Sequence, residues 1–313
     1  MPNKFGFVFP GQGSQKKGML GALASAHPGI VQTFQEASDA LSLDLWKIAA
    51  EDPDNTLDLT HITQPVLLTA SVAIWRLWFE QGGALPELLA GHSLGEYSAL
   101  VCADSMSLTD AVRIVHKRGQ LMQEAVPAGT GGMAAIIGLD DEKILEACQA
   151  AAQGGVVAPA NFNSTGQTVI AGDKAAVERA MQACKEAGAK RALPLNVSVP
   201  SHCALMQPAA ERLAEDLQQI GFRTPSVPVV QNINGRVARN VDDIRDNLLK
   251  QLYMPVQWVD TIGCMWDLGI GRIVECGPGK VLGGLIKRIE PEIDCYSTEE
   301  PEAFEQARSA LHI

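Results

Sequence analysis

The chain lacks paired cysteines. Its seven are odd in number and scattered, with no C-x-x-C spacing. That pattern disfavours a zinc ribbon or a disulfide-stapled scaffold. It fits reduced thiols in a cytoplasmic protein with no bound metal. Basic residues are also scarce: 25 Lys and Arg against 36 Asp and Glu give a formal net charge of −11. Non-specific nucleic-acid binding is disfavoured, although a local basic patch is not. No apolar run looks long enough to span a membrane, since "VLLTASVAIW" is short and carries polar residues. "MPNKFGFVFPGQG" has too brief an apolar part for a signal peptide. Repeats and low-complexity linkers are absent. Histidine, the usual general base, occurs at only six positions: His27, His61, His92, His116, His202 and His312. The last is one residue from the C-terminus and is set aside.

What is present is a core. Hydrophobic residues make up 46% of 313 and charged residues 19%, enough for one large domain or a domain with a smaller one inserted. Short apolar strands alternate with helical patterns. "KFGFVFPGQG" is a strand entering a Gly-rich turn, "IVQTFQEASDAL" a helix, and "TQPVLLTASVAIWRLWFEQG" a long helix with Pro65 near its start. This rhythm predicts a parallel sheet covered by helices. From about 128 to 198 the order becomes β-α-β-β-α-β, ending in the strand "KRALPLNVSV". That is a ferredoxin-like unit, which would form one wall of a cleft over the remainder. Beyond it, "VPVVQNINGRVA" reads as strand and turn, and "VDDIRDNLLKQLYMPVQW" as a helix stopped before Pro255. "GIGRIVECGPGKVLGGLIKRI" reads as strand, turn and helix; its glycines lack the P-loop spacing and predict a structural turn.

The segment "LLAGHSLGEYSALVCADSMS" carries the sharpest local signal. Gly91-His92-Ser93-Leu94-Gly95 fits G-x-S-x-G between a strand and a helix. In a nucleophile elbow the turn pushes the serine hydroxyl out, and the flanking positions must lack side chains. The plain alternative is a strand-to-helix turn with Ser93 as N-cap. A nucleophile needs a base, an oxyanion hole and a group that holds the base. His202, in "NVSVPSHCAL", is the candidate base, against a helix-capping role. His92 adjoins Ser93, but its side chain should point away; His61 and His116 read as structural. The amide of Leu94 would supply one oxyanion donor. A second would come from "FPGQGSQ", otherwise a tight βα turn. No Asp or Glu is well placed to orient His202, although a backbone carbonyl would suffice. In "LTDAVRIVHKRGQLMQEA", Arg118 falls on the apolar stripe with Ala111, Val115 and Met122. A buried guanidinium needs a partner. An internal carboxylate and a substrate carboxylate fit equally well.

Together, "FPGQGSQ", "GHSLGEYSAL", Arg118 in "HKRGQLMQ", "ANFNSTGQTVIAG", "VPSHCALM", "QLYMPVQW" and "GPGKVL" resemble, in order and spacing, the malonyl-CoA:acyl carrier protein transacylase family of type II fatty acid synthesis. The resemblance implies an α/β fold with a hydrolase-like core, 1–127 and 199–313, and an inserted ferredoxin-like subdomain, 128–198. It implies Ser93 as nucleophile, His202 as base, Arg118 as the malonyl carboxylate site, and the amides of Gln12 and Leu94 as oxyanion hole. Gln251, which otherwise reads as a surface helix residue, would hold His202 through its carbonyl; Asn163 and His92 would line the site. The implied partners are malonyl-CoA or CoA and acyl carrier protein; charge and the short apolar runs add the expectation of no nucleic acid and no membrane, and a monomer is expected. No metal or redox cofactor is implied, and phosphopantetheine comes with the carrier. Lys190, Arg191, Lys16 and Lys17 are candidates for a basic patch facing that acidic partner. An esterase would need no Arg118, and a docking module would have no reason to keep Ser93, His202 and Arg118 together.

Overall fold

A computed structural model describes residues 4–197 and 199–311; His312 and Ser198, the end of the expected subdomain, lie outside the described residues. The strands are β1 Lys4–Phe9, β2 Leu88–Gly91, β3 Gly131–Ile137, β4 Val157–Ser164, β5 Gln167–Asp173, β6 Arg191–Pro194, β7 Val229–Gln231, β8 Arg236–Val237, β9 Ile270–Glu275 and β10 Asp294–Ser297.

Six of them form one sheet, in the order β10-β9-β1-β2-β7-β8. All its pairings are parallel except the β7–β8 hairpin at one edge. Five of the six residues of β1 are buried, as expected for a strand covered on both faces. Phe7 meets Trp75 and Trp78 of the helix Thr60–Glu80 edge-on, at 5.3 and 5.1 Å between ring centroids. Each such buried aromatic contributes about 1.5–3 kcal/mol of transfer free energy.

Thr60–Glu80 has 21 residues and is long and apolar enough to cross a membrane, contrary to the sequence expectation, but 89% of its apolar window is buried inside the fold. Pro65 lies within it. A proline has no N–H for the carbonyl four residues back. That carbonyl, of His61, instead accepts from His116 Nδ1 at 2.7 Å. His61 and His116 thus have the structural role expected.

The other four strands form an antiparallel sheet, β4-β5-β3-β6. The helices Asp141–Ala152 and Lys174–Glu186 pack on it through Ile144, Val177, Ile136 and Ile170. This is the predicted β-α-β-β-α-β unit. Its last strand is shorter than expected: pairing with β3 stops at Pro194, and Leu195 and Val197 follow as part of a cleft wall. The unit meets the larger sheet's layer through β4, where Val256 N donates to Ala160 O at 2.9 Å and Phe162 N to Val256 O at 3.0 Å. The helix Val241–Tyr253 ends before Pro255 as predicted. The ends of β1 and β2 open on the cleft between the sheets, and the end of this helix packs behind them through Gln251.

Candidate active site

Ser93 follows β2 with φ = 51°. This left-handed conformation is disfavoured for a residue with a Cβ. It also rules out the N-cap reading: the helix Gly95–Cys102 begins beyond Leu94 with no side-chain cap. The flanking glycines are required by contact. A Cβ at Gly91 would clash with the backbone of Gly95, and one at Gly95 with the carbonyl of Phe9. Asn232, just past β7, clamps the bend. Its Oδ1 accepts from Ser93 N at 2.7 Å and its Nδ2 donates to Gly91 O at 2.6 Å.

Ser93 Oγ lies 2.7 Å from His202 Nε2, and His202 Nδ1 lies 2.6 Å from Gln251 O. A carbonyl can only accept, so Nδ1 carries the proton and Nε2 is left to accept from the serine hydroxyl. His202 itself has φ = 60°. Burial, then the nearby Arg118 charge, push its pKa down to about 3, against the opposing effect of the bond it donates to the Gln251 carbonyl. The imidazole is therefore neutral near pH 7, as a general base must be.

Arg118 is fully buried and lines the same cavity. Nη1 donates to Gln64 Oε1 at 2.8 Å and Nη2 to Gln251 Oε1 at 3.0 Å. Both partners are neutral amides. No carboxylate of the described residues forms an ion pair with it, and Nε has no hydrogen-bond partner. An internal carboxylate does act on it, but only indirectly: buried Glu96, bonded to the far side of the Gln251 amide, favours its charge, and the guanidinium retains Nε for an anion.

The cavity measures about 340 Å³ and opens between the sheets. Gln12 and Leu94 lie on its wall, and neither backbone amide donates a hydrogen bond among the described residues. Asn163 also lines it, and its Oδ1 accepts from His92 Nε2 at 2.8 Å. His92 lies on the cavity wall, its ring against Trp258, and its hydrogen-bond partner is Asn163, not Ser93. The turn after β9 is structural, as predicted. Glu275 accepts from the amides of Leu282 and Gly283 at 3.0 and 2.8 Å, occupying the N-terminus of the following helix. The basic-patch candidates Lys16, Lys17, Lys190 and Arg191 are all exposed, and Lys16 pairs with Glu299 at 2.8 Å.

Four contributions escaped sequence reasoning. Gln251 is completely buried rather than on a surface, and its side chain binds as well as its carbonyl. Gln64 and Asn232 carry no motif of their own. Glu96 read as an acidic residue in a first helical turn, yet it is completely buried. The signal available was its place inside "GHSLGEYSAL", the only charged side chain in that stretch.

Fold and cavity together are those of an acyltransferase, and residues 6–262 match the acyl transferase domain family. The malonyl CoA-acyl carrier protein transacylase of Escherichia coli strain K12 is 58% identical over 304 residues, 97% of this chain and 98% of that one. A solved malonyl-CoA:acyl carrier protein transacylase from Xanthomonas oryzae superposes with a TM-score of 0.98 at 50% identity, covering 99% of each chain. A malonyl-transacylase solved in complex with its type II PKS acyl-carrier protein gives 0.97 at 54% identity, covering 98% of this chain and 99% of that one. The chain belongs to the malonyl CoA-acyl carrier protein transacylase family.

Proposed function

We propose that this enzyme transfers the malonyl group of malonyl-CoA to the phosphopantetheine thiol of acyl carrier protein, in fatty acid biosynthesis, through a malonyl ester on Ser93. The observation that carries the reading is Arg118: a buried cation in the cavity of Ser93 and His202, with neutral partners only. A carboxylate on the acyl chain completes its charge balance, and an acetyl group does not.

In the first half-reaction Ser93 Oγ attacks the thioester carbon while His202 Nε2 takes its proton. The amides of Gln12 and Leu94 hold the oxyanion. As the carbon–sulfur bond breaks, the departing CoA sulfur takes the proton from His202, leaving the malonyl ester. In the second half, the carrier's thiol gives its proton to His202 and attacks the ester carbon. Ser93 Oγ leaves and recovers the proton. Each half exchanges one bond to carbon for another without redox change, so no metal or redox cofactor is called for. Gln251 O orients His202 throughout, while His92 and Asn163 shape the cavity wall. Lys190 and Arg191, exposed at the start of β6, are suited to meet an acidic carrier. The free state of all seven thiols fits a cytoplasmic enzyme.

The reading is tested by incubating the protein with malonyl-CoA and then with acyl carrier protein in its phosphopantetheine form. A malonyl adduct that moves to the carrier is expected. Release of free malonate without transfer would point to a hydrolase, and no adduct would point to a docking module.

A further inference from the structure

Gln251 touches all three groups of the proposed mechanism. Its carbonyl accepts from His202 Nδ1 and its Oε1 from Arg118 Nη2, while its Nε2 donates to Ser93 O at 3.0 Å. A glutamine side chain can sit two ways round, and only one puts its oxygen toward the guanidinium. What fixes it is a second acceptor on the same NH₂: Glu96 Oε2, at 2.9 Å. The same Oε2 accepts from the backbone N–H of Asn232, also at 2.9 Å. Asn232 is the residue that clamps Ser93 N and Gly91 O.

We propose that Glu96 is a positioning residue for malonyl transfer: its Oε2 ties the clamp on the Ser93 elbow to Gln251, and so sets the side-chain oxygen that aims Arg118 at the acyl carboxylate. The proposal rests on the functional reading above. Glu96 lies one turn from Ser93 but is placed against Gln251 and Asn232, not on the cavity wall. Its role is therefore exercised through those two residues and not on the substrate. Nor is it an ion-pair partner of Arg118: Gln251 stands between them, and Glu96 Oε1 has no hydrogen-bond partner. What the site needs from Glu96 is an acceptor oxygen at one point. Without it, Asn232 N and one N–H of Gln251 are left unpaired in a buried place. Such groups are costly, and the amide of Gln251 becomes free to turn. Turned, it presents an NH₂ to the guanidinium.

The test separates oxygen, charge and shape. E96Q keeps the acceptor oxygen without a negative charge; E96M keeps the length without the oxygen. The readout is the ratio of kcat/KM for malonyl-CoA over acetyl-CoA, which general loss of stability does not move. The expected result is a ratio at least tenfold lower in E96M, restored in E96Q to within about threefold of wild type. If E96M retains the wild-type ratio, or loses both substrates equally, the proposal is overturned. It is also overturned if E96Q falls as far as E96M. Should E96M not fold, E96D, which keeps the carboxyl but draws it back from Gln251, must lower the ratio several-fold; an unchanged ratio there is equally fatal. A wild-type enzyme with no malonyl preference overturns the functional reading and the proposal with it, whereas a wild-type preference that survives in E96M overturns the proposal alone.

Discussion

Two members of one buried network are shifted in opposite directions. Burial, opposed by the bonds from Asn232 and Gln251, pushes Glu96 up from 4.5 to about 7. Burial and Arg118 push His202 down from 6.5 to about 3. Between about pH 4.5 and 6.5 the folded pair carries one proton on Glu96 and none on the His202 acceptor nitrogen, while the unfolded pair carries it on the histidine instead. The proton counts match, so the pair gives stability no slope in that window. Glu96→Gln unbalances it. The His202 contribution alone is full above its unfolded value and is lost as pH falls from about 6.5 toward 3. The Glu96 contribution is full below 4.5 and is lost as pH rises to about 7. Every other group is common to the two proteins and cancels in their difference. The stability of wild type minus that of Glu96→Gln should therefore fall by about 1.4 kcal/mol per pH unit between about 4.5 and 7, roughly 3 kcal/mol in all. Urea unfolding of both proteins across that range, with slopes compared at each pH, measures it. A difference that stays constant with pH would mean that Glu96 ionises in the fold as it does in the unfolded chain, and the neutral-carboxyl description of the network would be wrong.

Arg118→Ala should lower kcat/KM for malonyl-CoA by hundreds- to thousands-fold, from about 3–5 kcal/mol for a broken buried charge pair, while sparing acetyl-CoA. Equal loss of both substrates with a lower melting temperature would refute the carboxylate role. In Glu96→Gln, where Glu96 no longer titrates, kcat/KM should show no acid limb between about pH 7.5 and 5, because His202 is already neutral there; a limb centred near 6.5 would show an ordinary histidine. Gly95→Ala should fail to give soluble enzyme or lose more than about 3 kcal/mol of stability, since its Cβ would meet the Phe9 carbonyl; a stable, active variant would refute the close strand–helix approach.

How much of this was legible in the sequence depended on the range of the determining interaction. The elbow was legible because its constraint is local: Gly91, Ser93 and Gly95 are fixed by one bend. The βαββαβ unit was legible from alternation between period 2 and period 3.6 over one continuous stretch. The buried face of Arg118 followed from helical spacing. Orientation across elements was not legible. Gln251 stands on a polar-looking helix end, and only the packing of that helix against Ser93 and Arg118 shows it to be buried. Asn232 follows a strand of three residues, too short to announce the register that brings it to Ser93 N. His92 carried two expectations, a ring turned from Ser93 and a place on the site wall; the bond to Asn163 on β4 that satisfies both spans two sheets and leaves no mark in either segment. The helix Trp258–Asp267, unremarked in the sequence, owes its place to Trp258, which is completely buried. The role of Gln251 toward His202 came from family resemblance, since a backbone carbonyl leaves no mark on residue type.

The central claim is that Ser93 carries the acyl group with His202 as its base. Peptide mapping of the protein after brief exposure to malonyl-CoA tests it most directly. One malonyl ester is expected, on Ser93, absent in Ser93→Ala and formed far more slowly in His202→Ala. Malonate found on any other residue, or an adduct that persists in Ser93→Ala, would contradict it.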